Sequence, residues 1–368
     1  MNKLQKKNAE AGFSMIELLI VMVLTLIIMS AVFSLMHGTI NTANANYEMT
    51  SATQNLRNAQ EFINRDVLTL GDGVKSTPNI WLPTGFITNY LTNRTAAAID
   101  PTNIGYTSIG AVISDNNMPA GINVPQANPA ATVLERSDRL TLLSTDKGFT
   151  NIALTFAEVN PIAGSIIVPA ARISDFTVGE IYFLSNGVAA TFGVITNINS
   201  GTNTIFWRNG DALGINRVGN TGALFSVQSP QYAMSLSRVN IIQYFVDAEG
   251  KLIRRAFGIK GKSFLDSVIA EHLVELQFRY ILKPPGDGTI FEQPKDIFDL
   301  DEATSVRMIE PRIVVETAYP LIDGQKHHVT GTTQLSVRNI QFLEAPIPQD
   351  RDGNTQLPNP GPTPQITP

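Results

Sequence analysis

The sequence predicts an α+β chain: one long N-terminal helix packed on a domain of mainly antiparallel β-sheet. Three observations carry that expectation. An apolar run whose only charge is Glu17 extends from Phe13 to Met36. Apolar residues then recur at three- and four-residue steps through Leu56, Ala59, Ile63, Val67 and Leu70, the spacing of one helix face. Beyond residue 130, short β-branched and aromatic runs alternate with turn residues such as Asn186-Gly187 and Asn209-Gly-Asp211.

The apolar run organises the chain. At ~1.5 Å per helical residue its two dozen residues reach about 36 Å, enough to cross the hydrocarbon core of a bilayer. Before it stand Lys3, Lys6 and Lys7. Positive charge stays on the cytoplasmic side, so the remainder of the chain is expected outside. Glu17 is the odd feature, because an unpaired carboxylate in a membrane helix is costly, up to about 2.5–3.5 kcal/mol at the bilayer centre on insertion scales. It needs a cation. A cut after Gly12 would supply one, since Phe13 would then carry a free α-amino group one helical turn away. Gly12 has no side chain and lets a protease approach the backbone closely.

The helical pattern continues past Met36 to Leu70, taking in Ile40, Ala43 and Tyr47. Gly38 to Asn46 is intrinsically weak helix, and Gly71-Asp72-Gly73 supplies the stop. The expectation is one helix of roughly 58 residues, ~87 Å long. Residues 13–36 form its membrane half and 37–73 its amphipathic half. From 74 to 130 the chain is poor in charge and rich in Asn, Thr, Pro and Gly, an insertion-like region of loops and short strands around Ile80-Trp81-Leu82, Phe86-Ile87 and Ile109 to Ile113. Strands are expected at 139–143, 152–156, 165–168, 179–184, 189–198, 273–281, 311–318 and 332–337. Val239 to Val246, Asp247 to Gly250 and Lys251 to Arg255 read as a hairpin. The globular domain is taken as 74–343. Residues 344–368 hold seven prolines and read as a disordered tail.

Composition narrows the classes. The 43% hydrophobic content supports a real core, while 16% charged residues and a net charge of −5 argue against general nucleic-acid binding. Three lysines and Glu10 give the first twelve residues a net +2, which leaves −7 for the rest. There is no cysteine, so thiol chemistry, disulfides and cysteine zinc sites are excluded.

G-FSMIELL followed by an apolar helix resembles the signal of type IV pilins and type II secretion pseudopilins. The resemblance implies a leader of residues 1–12, a cut between Gly12 and Phe13, N-methylation of Phe13, and Glu17 as the charge used in subunit assembly. The partners it implies are a prepilin peptidase that is also the methyltransferase, the inner membrane, other minor pilins, the major pilin and a large tip adhesin. SDRLTLLSTD, VGEIYFLSNGVAATFGVIT, IQYFVDAEGKLIRR, HLVELQFRYIL and LSVRN resemble long minor pilins of the PilW type, and the J-type pseudopilin shares the hairpin and the strand after it. Many pilin-like proteins carry a C-terminal disulfide; this chain departs from that.

Other candidates are plainer. Asp296, Asp299, Asp301 and Glu302 make an acidic cluster that could hold a hard cation such as calcium, found in some pilin-like proteins. Its spacing fits no EF-hand, and a solvated loop is the plainer reading. Gly258 to Ser263 ends like a phosphate loop, but Ala256 stands where its first glycine belongs. His327 and His328 are adjacent, so on a strand they would face opposite ways. No hydrolase, zinc-protease or dinucleotide motif occurs. The expected function is therefore non-enzymatic and without cofactor: a minor pilin in assembly or priming, single-pass in the inner membrane and then in the pilus or periplasm. A type II secretion pseudopilin and a tip adhesion or DNA-capture module are the alternatives.

Overall fold

The structure, a computed structural model, describes residues 14–74, 80–92, 106–116, 137–217, 223–228, 230–259, 261–283, 293–298 and 301–337. Gly12, Phe13, Asp299, much of 74–130 and the proline-rich tail lie outside those residues.

One continuous helix, Met15–Leu68, forms the spine. It is 54 residues long, about 81 Å. The weak stretch stays helical. Thr39 and Thr42 there return hydroxyl hydrogen bonds to the carbonyls of Leu35 and Gly38. The helix ends two residues before the expected Leu70, and the chain turns through Thr69 to Val74.

A thirteen-residue strand, Met234–Val246, is the axis of the head. Its first part pairs with Ile152–Leu154 and Ile181–Ser185. Its second part pairs with Arg139–Thr145 and, through the expected hairpin, with Leu252–Ile259. One strand thus joins two fans of a ten-stranded sheet. Lys262–Ala270 closes one edge, and Ala190–Val194, Ile80–Pro83 and Tyr106–Ile109 extend the other. Ile80 pairs in parallel with Ala190; the other named pairings are antiparallel. The run expected as one strand over 189–198 splits at Ile195-Thr196. Asn197–Asn199 leaves for a small sheet with Thr204–Phe206, Ser165–Ile167 and Val159–Asn160. A third sheet contains Leu273–Leu282, Val306–Glu316, His328–Thr332 and Leu335–Ser336.

The second half of the spine packs on this third sheet and on Lys262–Ala270. Ala52, Leu56, Ala59, Ile63, Val67 and Leu70 are buried, in one core with Leu276, Phe278, Ile309 and Ile313. Burying each of the larger side chains contributes about 1.5–3 kcal/mol. Close approach needs Gly331: a Cβ there would lie 2.6 Å from Gln60 Nε2 and 2.9 Å from Leu56 Cδ1. The expected stripe was too long at its near end. Ile40, Ala43 and Tyr47 are exposed because the head buries the spine only from Glu48 onward. A separate core around Phe183, Phe192 and Phe257 takes in Ile80, Phe86, Ile87 and Ile113 from the insertion-like region.

Candidate assembly site

The site is the start of the spine. Ser14 has an extended backbone and caps the helix, and Glu17 is its third residue. Glu17 Oε2 accepts the Ser14 backbone N–H at 3.1 Å. One of the helix's orphan donors is satisfied in this way, and a negative charge stands at the positive end of the helix dipole. A backbone N–H does not neutralise a carboxylate, so the charge itself still lacks a cation among the described contacts of the spine's first turn.

Among the described residues nothing buries the spine's apolar window within Met15–Met36. Its large apolar residues are between 48% and 88% exposed, on every face of the helix. A helix apolar all round needs lipid or other helices around it. By length and composition this one can cross a membrane.

Farther along, two acidic residues fasten the spine to the head. Asp66 is buried and receives the Tyr244 hydroxyl at 2.6 Å and Arg254 Nε at 2.6 Å. Tyr244 and Arg254 are direct cross-strand partners, so the hairpin's register aims both at one carboxylate. Burial, then the Asp66 charge, pushes the Tyr244 phenol far above its usual range. Glu48, also buried, accepts the backbone N–H groups of Ala318 and Tyr319 at 3.1 and 3.3 Å. Sequence reasoning missed both. The signal was present: Glu48 lies four residues before Ala52, and Asp66 three after Ile63, so each falls on the apolar stripe.

The acidic cluster does not converge on the positions that can be described. Asp296 faces Arg279 at 3.6 Å and Glu302 faces Lys295 at 3.2 Å. Phe298 between them is buried against Tyr280, which explains the apolar letters in the run. Asp301 opens a short 3-10 helix. Among the described residues no group of three or more His, Asp or Glu could hold a metal. At the phosphate-loop look-alike, Ile259 on one strand pairs with Lys262 on the next, and a strand follows where a phosphate loop requires a helix. His327 and His328 are exposed beside different carboxylates, Asp323 at 2.7 Å and Glu316 at 3.9 Å.

Residues 7–33 match the family model described as the prokaryotic N-terminal methylation motif. That span takes in Gly12, Phe13 and Glu17. No curated protein matches the chain. The chain therefore carries a prepilin-type signal on a membrane-capable helix.

Proposed function

We propose that this chain is a minor pilin of a type IV pilus, of the long PilW type, acting in pilus assembly or priming. The observation that carries the reading is the methylation motif on a helix that runs unbroken from a membrane-capable segment into a docked β-rich head. A prepilin peptidase cuts between Gly12 and Phe13 and methylates Phe13. The subunit waits in the inner membrane, N-terminus inward, and its apolar half then moves from lipid into a bundle of like helices. The chain is a substrate of enzymes rather than an enzyme, and it uses no cofactor.

Glu17 gives that move a direction. Before cleavage Phe13 is amidated to Gly12 and offers no cation. After cleavage an amine, its own or that of a neighbouring subunit, can neutralise the carboxylate. Where the amine is the neighbour's, the charge is neutralised only beside another processed subunit, and this favours insertion next to one.

Glu17→Ala makes the segment more apolar, so membrane insertion and cleavage persist while incorporation, read by cross-linking to other pilins, falls. Glu17→Gln keeps the shape without the charge and fails in the same way. If both variants cross-link as well as the parent, charge pairing is not how this subunit assembles. The same experiment separates a type II secretion pseudopilin, which would cross-link to the pseudopilins of that system instead.

A further inference from the structure

The hairpin joining Val306–Glu316 to His328–Thr332 ends in an unusual sequence for a loop, Tyr319-Pro320-Leu321-Ile322. The loop is ordered by its own backbone: Thr317 N–H bonds the His327 carbonyl, Leu321 N–H that of Gln325, and Gly324 N–H that of Leu321. Its apolar tip nevertheless faces outward. Tyr319 is 70% and Ile322 68% exposed, Pro320 is exposed, and Leu321 is half-buried. Single exposed apolar residues need no explanation, but a contiguous run of them on an ordered loop marks a contact surface.

The spine fixes where this tip stands relative to a membrane. Glu48 clamps the loop's entry to the helix, and the tip lines a groove together with Asn41, Asn44 and Ala45. A carboxylate is least costly at the edge of the hydrocarbon, so Glu17 belongs at the cytoplasmic boundary. From there a core of ~30 Å takes about 20 residues, Leu18 to His37. The outer headgroup layer, about 5–8 Å, then covers roughly the next four or five residues, to Asn41 or Thr42. Ile322 lines the same groove as Asn41, which brings the tip close to that level.

We propose that the Tyr319–Ile322 tip is a lipid-docking loop, resting the head on the outer surface of the membrane that its own spine crosses. Tyrosine suits the headgroup level, with an apolar ring and a polar tip, and the neighbouring aliphatic side chains reach the acyl boundary. Lys326 is paired with Glu316, and Asp323 is hydrogen-bonded to the His327 ring, so the contact rests on apolar insertion and not on anionic lipid. The head would be held upright beside its spine until the subunit leaves the bilayer. The proposal rests on the membrane-anchored reading of the spine.

The absence of cysteine makes the test direct. Full-length single-cysteine variants Ile322→Cys, Asn58→Cys and Leu24→Cys are labelled with a fluorophore. They are reconstituted at low protein density into phosphatidylcholine vesicles carrying headgroup-nitroxide or acyl-chain-nitroxide lipid. The Leu24 label should be quenched by the acyl-chain probe. Asn58, exposed on the spine and about 24 Å beyond Thr42, should report water. The Ile322 label should be quenched by the headgroup probe several-fold more than the Asn58 label, and Tyr319→Ser should reduce that quenching. Quenching at Ile322 equal to that at Asn58, with Leu24 embedded, overturns the loop proposal alone. An unquenched Leu24 overturns the anchored reading and the loop proposal with it. Shielding of Ile322 that appears only at high protein density marks a neighbouring subunit as the occupant and overturns lipid docking.

Discussion

Asp66 stands in the apolar stripe of the spine with two donors aimed at it from one hairpin. Removing a partner from such a pair strands the other, and this costs more than the pair was worth. Asp66→Ala should destabilise a soluble fragment starting near Thr39 by about 3 kcal/mol in denaturant unfolding. Arg65 also touches Asp66, but at 3.4 Å and with a 57% exposed side chain. Arg65→Ala should cost less than about 1 kcal/mol. Tyr244 adds a pH dependence. Its folded phenol titrates above the ordinary value of 10.0, chiefly through burial. The unfolded chain therefore gives up its proton first. The contribution to stability is full below about pH 10 and is lost as pH rises beyond it. Tyr182 is raised by burial in the same direction. Tyr244→Phe should flatten, without abolishing, the alkaline fall in melting temperature; an unchanged alkaline limb would show that Tyr244 does not contribute to it.

At the scale of elements, the docking of the spine is the contact that makes the second half of a membrane-capable helix part of a domain. Ile63 is fully buried at its centre, whereas Asn58 points to water. Ile63→Asp places a charge in an apolar contact and should lower the melting temperature of the soluble fragment steeply. Asn58→Ala should leave it unchanged. Equal melting temperatures would refute docking through this stripe. That stripe was legible because the 3.6-residue period is local, and so was the hairpin at Asp247 to Gly250, because turn chemistry is local. Pairings between distant segments were not legible. Nothing in Arg139–Thr145 announces that it lies beside Met234–Val246, or in Ile80 that it runs parallel to Ala190. Lys262–Ala270 was missed as a strand altogether. It is a sheet-edge element, largely exposed, so it shows no clean alternation of buried and exposed residues.

For the whole molecule, the shape follows from where polar groups occur along one helix. Glu17 is alone in an apolar segment, Glu48 marks where the head begins, and Asp66 locks its far end. The prepilin-type signal was readable because glycine, phenylalanine, a lone glutamate and an apolar run coincide within a few residues. The capping contact between Glu17 and Ser14 was missed although its signal was present: Ser14-Met15-Ile16-Glu17 before an apolar run is the capping-box spacing. The central claim is that the chain matures by a single cut that creates the amine Glu17 needs. Mass spectrometry of the membrane-bound protein, from cells with an active prepilin peptidase, tests this most directly. The predicted result is a chain beginning at N-methylated Phe13, with the twelve-residue leader gone. An intact Met1, or a first residue other than Phe13, would contradict it.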